Sequence, residues 1–202
     1  MGKDAKDSKA RRRIVGAMAR LLRRQGYAAT GLNQLVAEAD APKGSLYHYF
    51  PQGKEQVAVE ALRFAGGLVR ETLEDLARRE RAPDRVLRAY GELLAGWMEQ
   101  SGFRDGCPIT TTLLETTPDS ARLSEAGREI LTAWGAIFAR SLREAGLTDS
   151  RADELALLSL VAVEGGLILA RVRSDPAPLR LATRETAALI AREVGLSSLR
   201  EA

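Results

Sequence analysis

The sequence is poor in the residues that build disulfide frameworks and metal centres. Its 202 residues include one cysteine and one histidine. Those counts exclude a disulfide framework, a multi-thiolate metal site and a histidine-rich metal centre, and they favour a reducing compartment. With 45% hydrophobic residues and seven prolines, the composition suits one or two compact domains rather than a disordered chain. We therefore expect a folded protein that needs no metal or other cofactor.

No secretory signal is visible in the sequence, and its apolar runs are short. Residues 1–9 are polar and charged, without the apolar segment of a signal peptide. The most apolar stretch, Leu155 to Ala170, is 16 residues long and contains Glu164. It is short for a membrane span, and it would bury a charge in the bilayer. The sequence predicts a soluble, cytoplasmic protein that does not contact a membrane.

Acidic residues are scarce in the first quarter of the chain. Up to Lys54 there are eleven basic and four acidic residues, a balance of +7. The remainder holds 19 basic and 23 acidic residues, a balance of −4. This asymmetry suggests that one end of the protein meets a polyanion. A solvated basic tail explains the charge alone equally well.

No alternating β-pattern of useful length is present, and the apolar spacing is helical almost throughout. Within 11–25, Ile14, Met18 and Leu22 lie on one face of an amphipathic helix, which we expect to end at Gly26. The other predicted elements are a short helix capped by Thr30, a short helix from Pro42 to Tyr49, and longer helices over 54–80, 84–101, 108–115, 119–145, 151–172 and 178–194. The predicted fold is all-α, with a three-helix head at 1–53 and a larger helical bundle at 54–202.

The two short helices have the dimensions of a helix-turn-helix. The second of them would enter the major groove of DNA, so its exposed side must offer small residues, hydrogen-bond donors and cations. The segment from Pro42 to Phe50 contains no acidic residue. Leu46 and Phe50 are spaced i, i+4 and would face the core of the head. Tyr47 is one of three aromatic residues in this segment, out of ten in the chain; the alternative is that these are ordinary core or surface aromatics.

The ordered string from Thr30 through Leu62 resembles the DNA-binding head of TetR-family transcriptional regulators. The resemblance lies in Leu32-Asn33-Gln34-Leu35-Val36-Ala37-Glu38-Ala39, in Lys43-Gly44-Ser45-Leu46-Tyr47-His48-Tyr49-Phe50, and in the lysine that opens the fourth helix. Asp40 stands where the family commonly has glycine, and aspartate tolerates the left-handed backbone of such a turn. The link before Lys54 is one residue longer than the common family spacing.

The resemblance implies which residues bind DNA. Tyr47 would hydrogen-bond a phosphate, and Lys54 would pair with another at the positive N-terminal end of its helix. Residues 11–13, all arginine, would add attraction that is independent of base sequence. The full set of expected DNA-binding residues is Thr30, Asn33, Lys43, Gly44, Ser45, Tyr47, His48, Tyr49 and Lys54.

The stretch from Phe103 to Glu115 is similar to a segment of the LmrA-like branch of the family, and so is the spacing from Phe50 to Lys54. This similarity implies a planar aromatic or drug-like inducer. Aromatic side chains in the middle helices are candidates for an apolar pocket, with Thr110 and Glu115 among its polar groups. The alternative is a plain core, which such a row of aromatic residues more often forms. The expected lining residues are Trp97, Met98, Phe103, Cys107, Ile109, Leu113, Trp134 and Phe138.

The helix predicted over 151–172 is apolar nearly all round, which predicts burial on every side. Paired with the helix over 178–194, it would form half of an intersubunit four-helix bundle, with Gly165-Gly166 permitting close backbone approach. The alternative is a central helix of a monomer core. The expected interface residues are Leu158, Val161, Gly165, Leu169, Leu189 and Ile190.

These features together predict a homodimeric repressor that binds a palindromic double-stranded operator and is released by a small aromatic or hydrophobic inducer. One alternative is a DNA-binding protein that needs no ligand. A second is a small helical enzyme, but His48 and Cys107 lie 59 positions apart and no nucleophile motif surrounds the cysteine. We therefore expect no catalytic residue.

Overall fold

The computed structural model describes the backbone of residues 2–42 and 44–198 and the side chains of 9–42 and 44–197. Within these ranges the secondary structure is helical. The helices are α1 Gly2–Gln25, α2 Leu32–Glu38, α3 Ser45–Tyr49, α4 Lys54–Glu80, α5 Pro83–Gln100, α6 Pro108–Thr116, α7 Ala121–Glu144, α8 Asp149–Arg173 and α9 Ala177–Ser198. The all-α prediction is confirmed.

The contacts divide the chain into two compact units that do not follow sequence order. The first unit holds the residues up to Gly67 together with Cys107–Ile130, and the second holds Leu68–Gly106 and the residues from Leu131 onward. Both α4 and α7 contribute residues to each unit. The domain boundary expected between 53 and 54 lies within the first unit and stays a prediction.

The first unit forms around the apolar face of α1. Ile14, Met18 and Leu22 are fully buried there, as the helical spacing predicts. The chain leaves α1 at Gly26, whose φ of +80° is the left-handed conformation that glycine adopts most readily after a helix. Leu35 of α2 and Ile109 of α6 are also fully buried, and α1 packs directly on both helices.

Two boundaries in the head differ from the prediction. The N-cap of α2 is Gly31 rather than Thr30, because the Thr30 hydroxyl donates back to Gly26 O at 2.6 Å and closes the turn after α1. The third helix begins at Ser45 rather than Pro42. Both the amide and the hydroxyl of Ser45 donate to Pro42 O, at 2.9 and 2.6 Å, so this stretch forms a turn before the helix starts.

The second unit is built on α9, which packs against both α5 and α8. Two glycines permit this close approach. A Cβ at Gly91 would overlap the Thr183 side chain, and one at Gly166 would lie 2.9 Å from Leu179 Cα. On the surface, the Arg180 guanidinium of α9 pairs with two carboxylates of α5 at 2.9 and 3.3 Å.

One described helix, α8, is long and apolar enough to cross a membrane by length and composition alone. The core helix of a soluble protein meets the same criterion, so this is weak evidence. Part of α8 is covered within the chain: Leu155, Val163, Leu167 and Ala170 are buried. The rest of its apolar surface is described below.

Candidate nucleic-acid interface

Two buried side chains anchor α3, and two exposed side chains of the helix face solvent. Leu46 and Phe50 are almost completely buried, which confirms their predicted orientation toward the core. Tyr47 is 61% exposed, and His48 is exposed beside it. The His48 ring meets the Tyr49 ring edge-on at 4.9 Å between centroids. An aromatic and imidazole surface of this kind offers donors and flat faces to a nucleic acid.

The turn before α3 depends on Asp40. Its φ of +45° lies in the left-handed region, as predicted for the position where glycine is common. Arg13 of α1 donates to the Asp40 carboxylate at 3.1 Å, and Arg20 pairs with Glu38 at the same distance. These ion pairs are largely exposed, so each contributes little to stability. They connect α1 to the end of α2 and to the turn after it.

A groove of about 500 Å³ lies where α1 passes this turn. Its lining includes Lys9, Arg12, Arg13 and Arg20, together with Glu38 and Asp40, which pair with Arg20 and Arg13. The remaining positive charge of this lining attracts an anionic backbone without reading its sequence. This surface is next to the turn that leads into α3.

Lys54 opens α4 and is held by the loop that follows α1. Its ammonium group lies 4.3 Å from the centroid of the Tyr27 ring and donates to Ala28 O at 3.5 Å. Burial lowers the pKa of Lys54, and the charge of Glu115 opposes that shift. Burial also raises the pKa of the Tyr27 phenol, with a further contribution from Glu55. Lys54 is thus a positioned cation at a helix N-terminus, where an anion is stabilised.

The remaining expected DNA-binding residues differ in how much of each side chain or backbone is exposed. Gly44 and Asn33 are exposed, and Ser45 and Tyr49 are half-buried. Thr30 is 1% exposed and its hydroxyl is occupied by Gly26 O, so its side chain stabilises the turn instead of facing solvent. Lys43 lies outside the described residues.

A broad apolar surface runs along α8 in the second unit. Leu157, Val161, Ile168, Leu169 and Val172 are each about half exposed or more. Their spacing of three and four residues places them on neighbouring rows of one helix. Leu181 and Leu196 of α9 are also exposed apolar residues. An uncovered apolar surface of this extent marks an interaction site.

Two parts of the chain match known protein families. Residues 14–61 match the model of bacterial regulatory proteins of the tetR family. Residues 83–185 match the C-terminal domain of LmrA/YxaF-like transcriptional regulators. A regulator of Bacillus subtilis, the uncharacterized HTH-type transcriptional regulator YxaF, is 33% identical over 183 residues, covering 91% of this chain and 96% of its own.

The chain belongs to the TetR family. It is therefore a DNA-binding transcriptional regulator and not an enzyme. The HTH-type transcriptional regulator LmrA of Bacillus subtilis is 34% identical over 169 residues, covering 84% of this chain and 90% of its own. The crystal structure of regulatory protein TetR from Rhodobacter sphaeroides has a TM-score of 0.78 and 27% identity, with 89% of this chain and 97% of that one covered.

The expected ligand-binding residues of this TetR-family regulator are divided between the units. Cys107 and Leu113 are half-buried in the first unit, where Ile109 is fully buried. In the second unit Trp97 is 42% exposed and Phe103 is half-buried. The other three, Met98, Trp134 and Phe138, are buried. A second groove, of about 670 Å³, is lined by other residues, including Arg78, Arg81 and Arg140. The inducer pocket stays a prediction.

The expected interface residues of the regulator also differ from one another. Leu158, Val161, Gly165 and Leu169 are exposed. Leu189 is half-buried. Ile190 is an exception, because 1% exposure puts it in the core of its own chain. Of the glycine pair, Gly166 packs on α9 within the chain, while Gly165 has open space around it.

Three residues around Lys54 were not predicted from the sequence to lie there. Tyr27 and Ala28 hold Lys54, and Glu115 accepts a hydrogen bond from Ala28 N–H at 2.5 Å. We had expected Glu115 to line an inducer pocket. Its partner is 87 positions away along the chain, so no local pattern indicates the contact.

Proposed function

We propose that this TetR-family regulator is a cytoplasmic homodimeric repressor that binds a palindromic operator and is released by a small aromatic or hydrophobic inducer. The observation that carries the proposal is the presentation of α3. Two buried anchors, Leu46 and Phe50, hold a short helix whose Tyr47 and His48 face outward. A helix of this size reads only a few base pairs, so two copies at a set spacing are needed for a specific site.

Pairing of two chains is supported by the exposed apolar surface of α8 and α9. A monomer would leave side chains such as Val161 and Val172 in water. Covering them with the same surface of a second chain is the isologous arrangement that two-fold symmetry produces. Two-fold symmetry of the protein in turn implies a palindromic operator.

An aromatic or hydrophobic inducer is supported by the similarity of the C-terminal domain to LmrA/YxaF-like regulators. The second unit contains Trp134 and Phe138, one helical turn apart on α7 and both buried. An apolar cavity bordered by such rings would take up a planar molecule. Inducer binding would favour a state whose two heads no longer match adjacent major-groove sites. The inducer must therefore bind the free state more tightly than the DNA-bound state.

The burial of Met98, Trp134 and Phe138 also favours a second candidate, a DNA-binding regulator with a filled core and no inducer. The two candidates predict different results when an aromatic compound and the operator are titrated onto the same protein. The repressor model predicts that a compound found by tryptophan fluorescence weakens operator binding, and that saturating operator weakens the compound's own affinity by the same factor. Titration of each ligand in the presence and absence of the other measures both factors. If no aromatic compound from a broad screen changes DNA affinity, the filled-core candidate is favoured.

Replacement of the two expected phosphate ligands tests the DNA-binding surface. Tyr47→Phe removes one hydroxyl from each chain, and Lys54→Ala removes one cation from each chain. Each substitution is expected to weaken operator binding about tenfold for each chain bound, the effect of a hydrogen bond to a charged group. The salt dependence separates them. Lys54→Ala is expected to reduce the slope of log K against log salt by about 0.9 for each chain bound, while Tyr47→Phe leaves the slope unchanged.

The measurement is a mobility-shift titration at several salt concentrations. The DNA is a duplex that the wild-type protein selects from a randomised library. Thermal unfolding of each variant provides the control for folding, since Tyr47 is exposed and Lys54 is at a helix end. Wild-type affinity in both variants would contradict the proposed orientation of α3 and α4 on DNA.

A further inference from the structure

We infer that Glu115 is a positioning residue for DNA binding, which acts through the backbone of Ala28 on the phosphate ligand Lys54. All three residues belong to the first unit. The inference rests on the proposed role of Lys54 and assigns the residue that keeps it in place. Glu115 lies in the last turn of α6, and α6 packs directly on α1.

The Glu115 carboxylate contacts the backbone that follows α1. Ala28 N–H donates to Glu115 Oε2 at 2.5 Å. The other oxygen lies over Gly26, where a Cβ would overlap Oε1. Gly26 thus serves two purposes, since its φ of +80° ends α1 and its missing side chain admits the carboxylate. A hydrogen bond between a backbone N–H and a carboxylate is among the stronger ones in proteins.

The same short loop holds Lys54 from its other side. While the amide of Ala28 donates to Glu115, its carbonyl accepts from Lys54 Nζ at 3.5 Å. The preceding ring, Tyr27, lies 4.3 Å from the ammonium nitrogen. Both of these groups belong to the dipeptide that Glu115 contacts. Releasing the amide of Ala28 frees the carbonyl and the ring that place the cation.

The loop also leads into the helix-turn-helix. The Thr30 hydroxyl donates to Gly26 O at 2.6 Å, and Gly31 caps α2. The Gln25 amide bonds to Ala29 O and to Gln34 of α2, each at 2.8 Å. The position of α2 and of Lys54 is thus determined by one loop, and Glu115 is its contact with α6.

Reach and charge predict different effects of the two substitutions at Glu115, which makes the inference testable. A role through charge alone predicts that binding changes when the charge is removed, because both the repulsion between the carboxylate and the DNA phosphates and its attraction for Lys54 are then lost. A positioning role depends on reaching Ala28 N–H. Glu115→Asp keeps the charge but is one methylene too short, whereas Glu115→Gln keeps the length and an accepting oxygen without the charge. The matched controls are Glu129→Asp and Glu129→Gln, at an exposed carboxylate of α7 that pairs with Arg63.

The experiment measures operator affinity and its salt slope for the four variants and Lys54→Ala, using full-length protein and the library-selected duplex. Glu115→Asp is expected to weaken binding about tenfold and to reduce the salt slope toward that of Lys54→Ala. Glu115→Gln is expected to stay within about threefold of wild type, and the Glu129 variants to match wild type. Thermal unfolding checks that each variant is folded.

The experiment distinguishes failure of the role of Glu115 from failure of the proposed phosphate contact of Lys54. Wild-type affinity and slope in Glu115→Asp, with Lys54→Ala impaired, would overturn the role of Glu115 and leave the proposed DNA surface intact. An unimpaired Lys54→Ala would instead overturn the phosphate contact itself, and with it the coupling to Glu115. Weaker binding by Glu115→Gln than by Glu115→Asp would also overturn the inference, because charge rather than reach would then decide affinity.

Discussion

Val161→Asp is expected to convert the proposed dimer into a monomer and to weaken operator binding by about 10²–10⁴-fold. Val161 lies in the middle of the exposed apolar surface of α8 and is itself 60% exposed. Both chains of a symmetric dimer carry the substitution, so it places two carboxylates in an apolar interface. An unpaired charge is strongly disfavoured there. Loss of the second head then removes the gain from binding two half-sites at once.

Sedimentation velocity measures the oligomeric state, and a mobility-shift titration measures the affinity. The matched control is Ala136→Asp, which adds the same charge at an exposed position of α7 in the same unit. The control is expected to stay dimeric with wild-type affinity. A Val161→Asp variant that still sediments as a dimer would show that two chains pair through another surface.

Phe50→Ala is expected to reduce the free energy of unfolding by about 3–5 kcal/mol, the cost of removing a fully buried aromatic side chain. Phe50 directly follows α3 and has no exposed surface. Its ring meets the Tyr49 ring at 6.5 Å between centroids, and the Arg11 guanidinium lies 5.4 Å from it. The cavity would loosen α3, so DNA binding is expected to fall together with stability.

Urea denaturation measures this loss. Tyr47→Ala is the matched control, because it removes an aromatic side chain of α3 that is mainly in solvent. We expect it to change stability by no more than about 0.5 kcal/mol while it still weakens DNA binding. A cost below about 1 kcal/mol for Phe50→Ala would contradict the account in which Phe50 anchors the helix.

Local sequence patterns were enough to predict most of the fold. The predicted bounds of α4 agree with the structure at Lys54 and Glu80, since a turn precedes the helix and a break follows it. The buried pair Leu46 and Phe50 was also predictable. These features depend on neighbours within a few residues, where helical periodicity and turn chemistry decide the outcome. The left-handed turn at Asp40 was expected from the resemblance to the TetR family, in which glycine is common at this position.

Contacts between distant segments were not predictable in this way. Thr30 has the chemistry of an N-cap, but its hydroxyl bonds back to Gly26 and leaves the cap to Gly31. Periodicity indicates that Ile190 is buried without indicating whether its own chain or a partner covers it. The position of the Glu115 carboxylate over Gly26 depends on how α6 packs on α1. The sequence near either residue does not encode this packing.

In the proposed complex, two copies of α3, one from each chain, enter the major groove on consecutive turns of duplex DNA. Methylation interference at guanine N7 tests it most directly, because that atom lies in the major groove. On the library-selected duplex, the account predicts two clusters of interference related by a dyad, with centres about 10 base pairs or a whole multiple apart. A single cluster, or binding unaffected by methylation in the major groove, would contradict it.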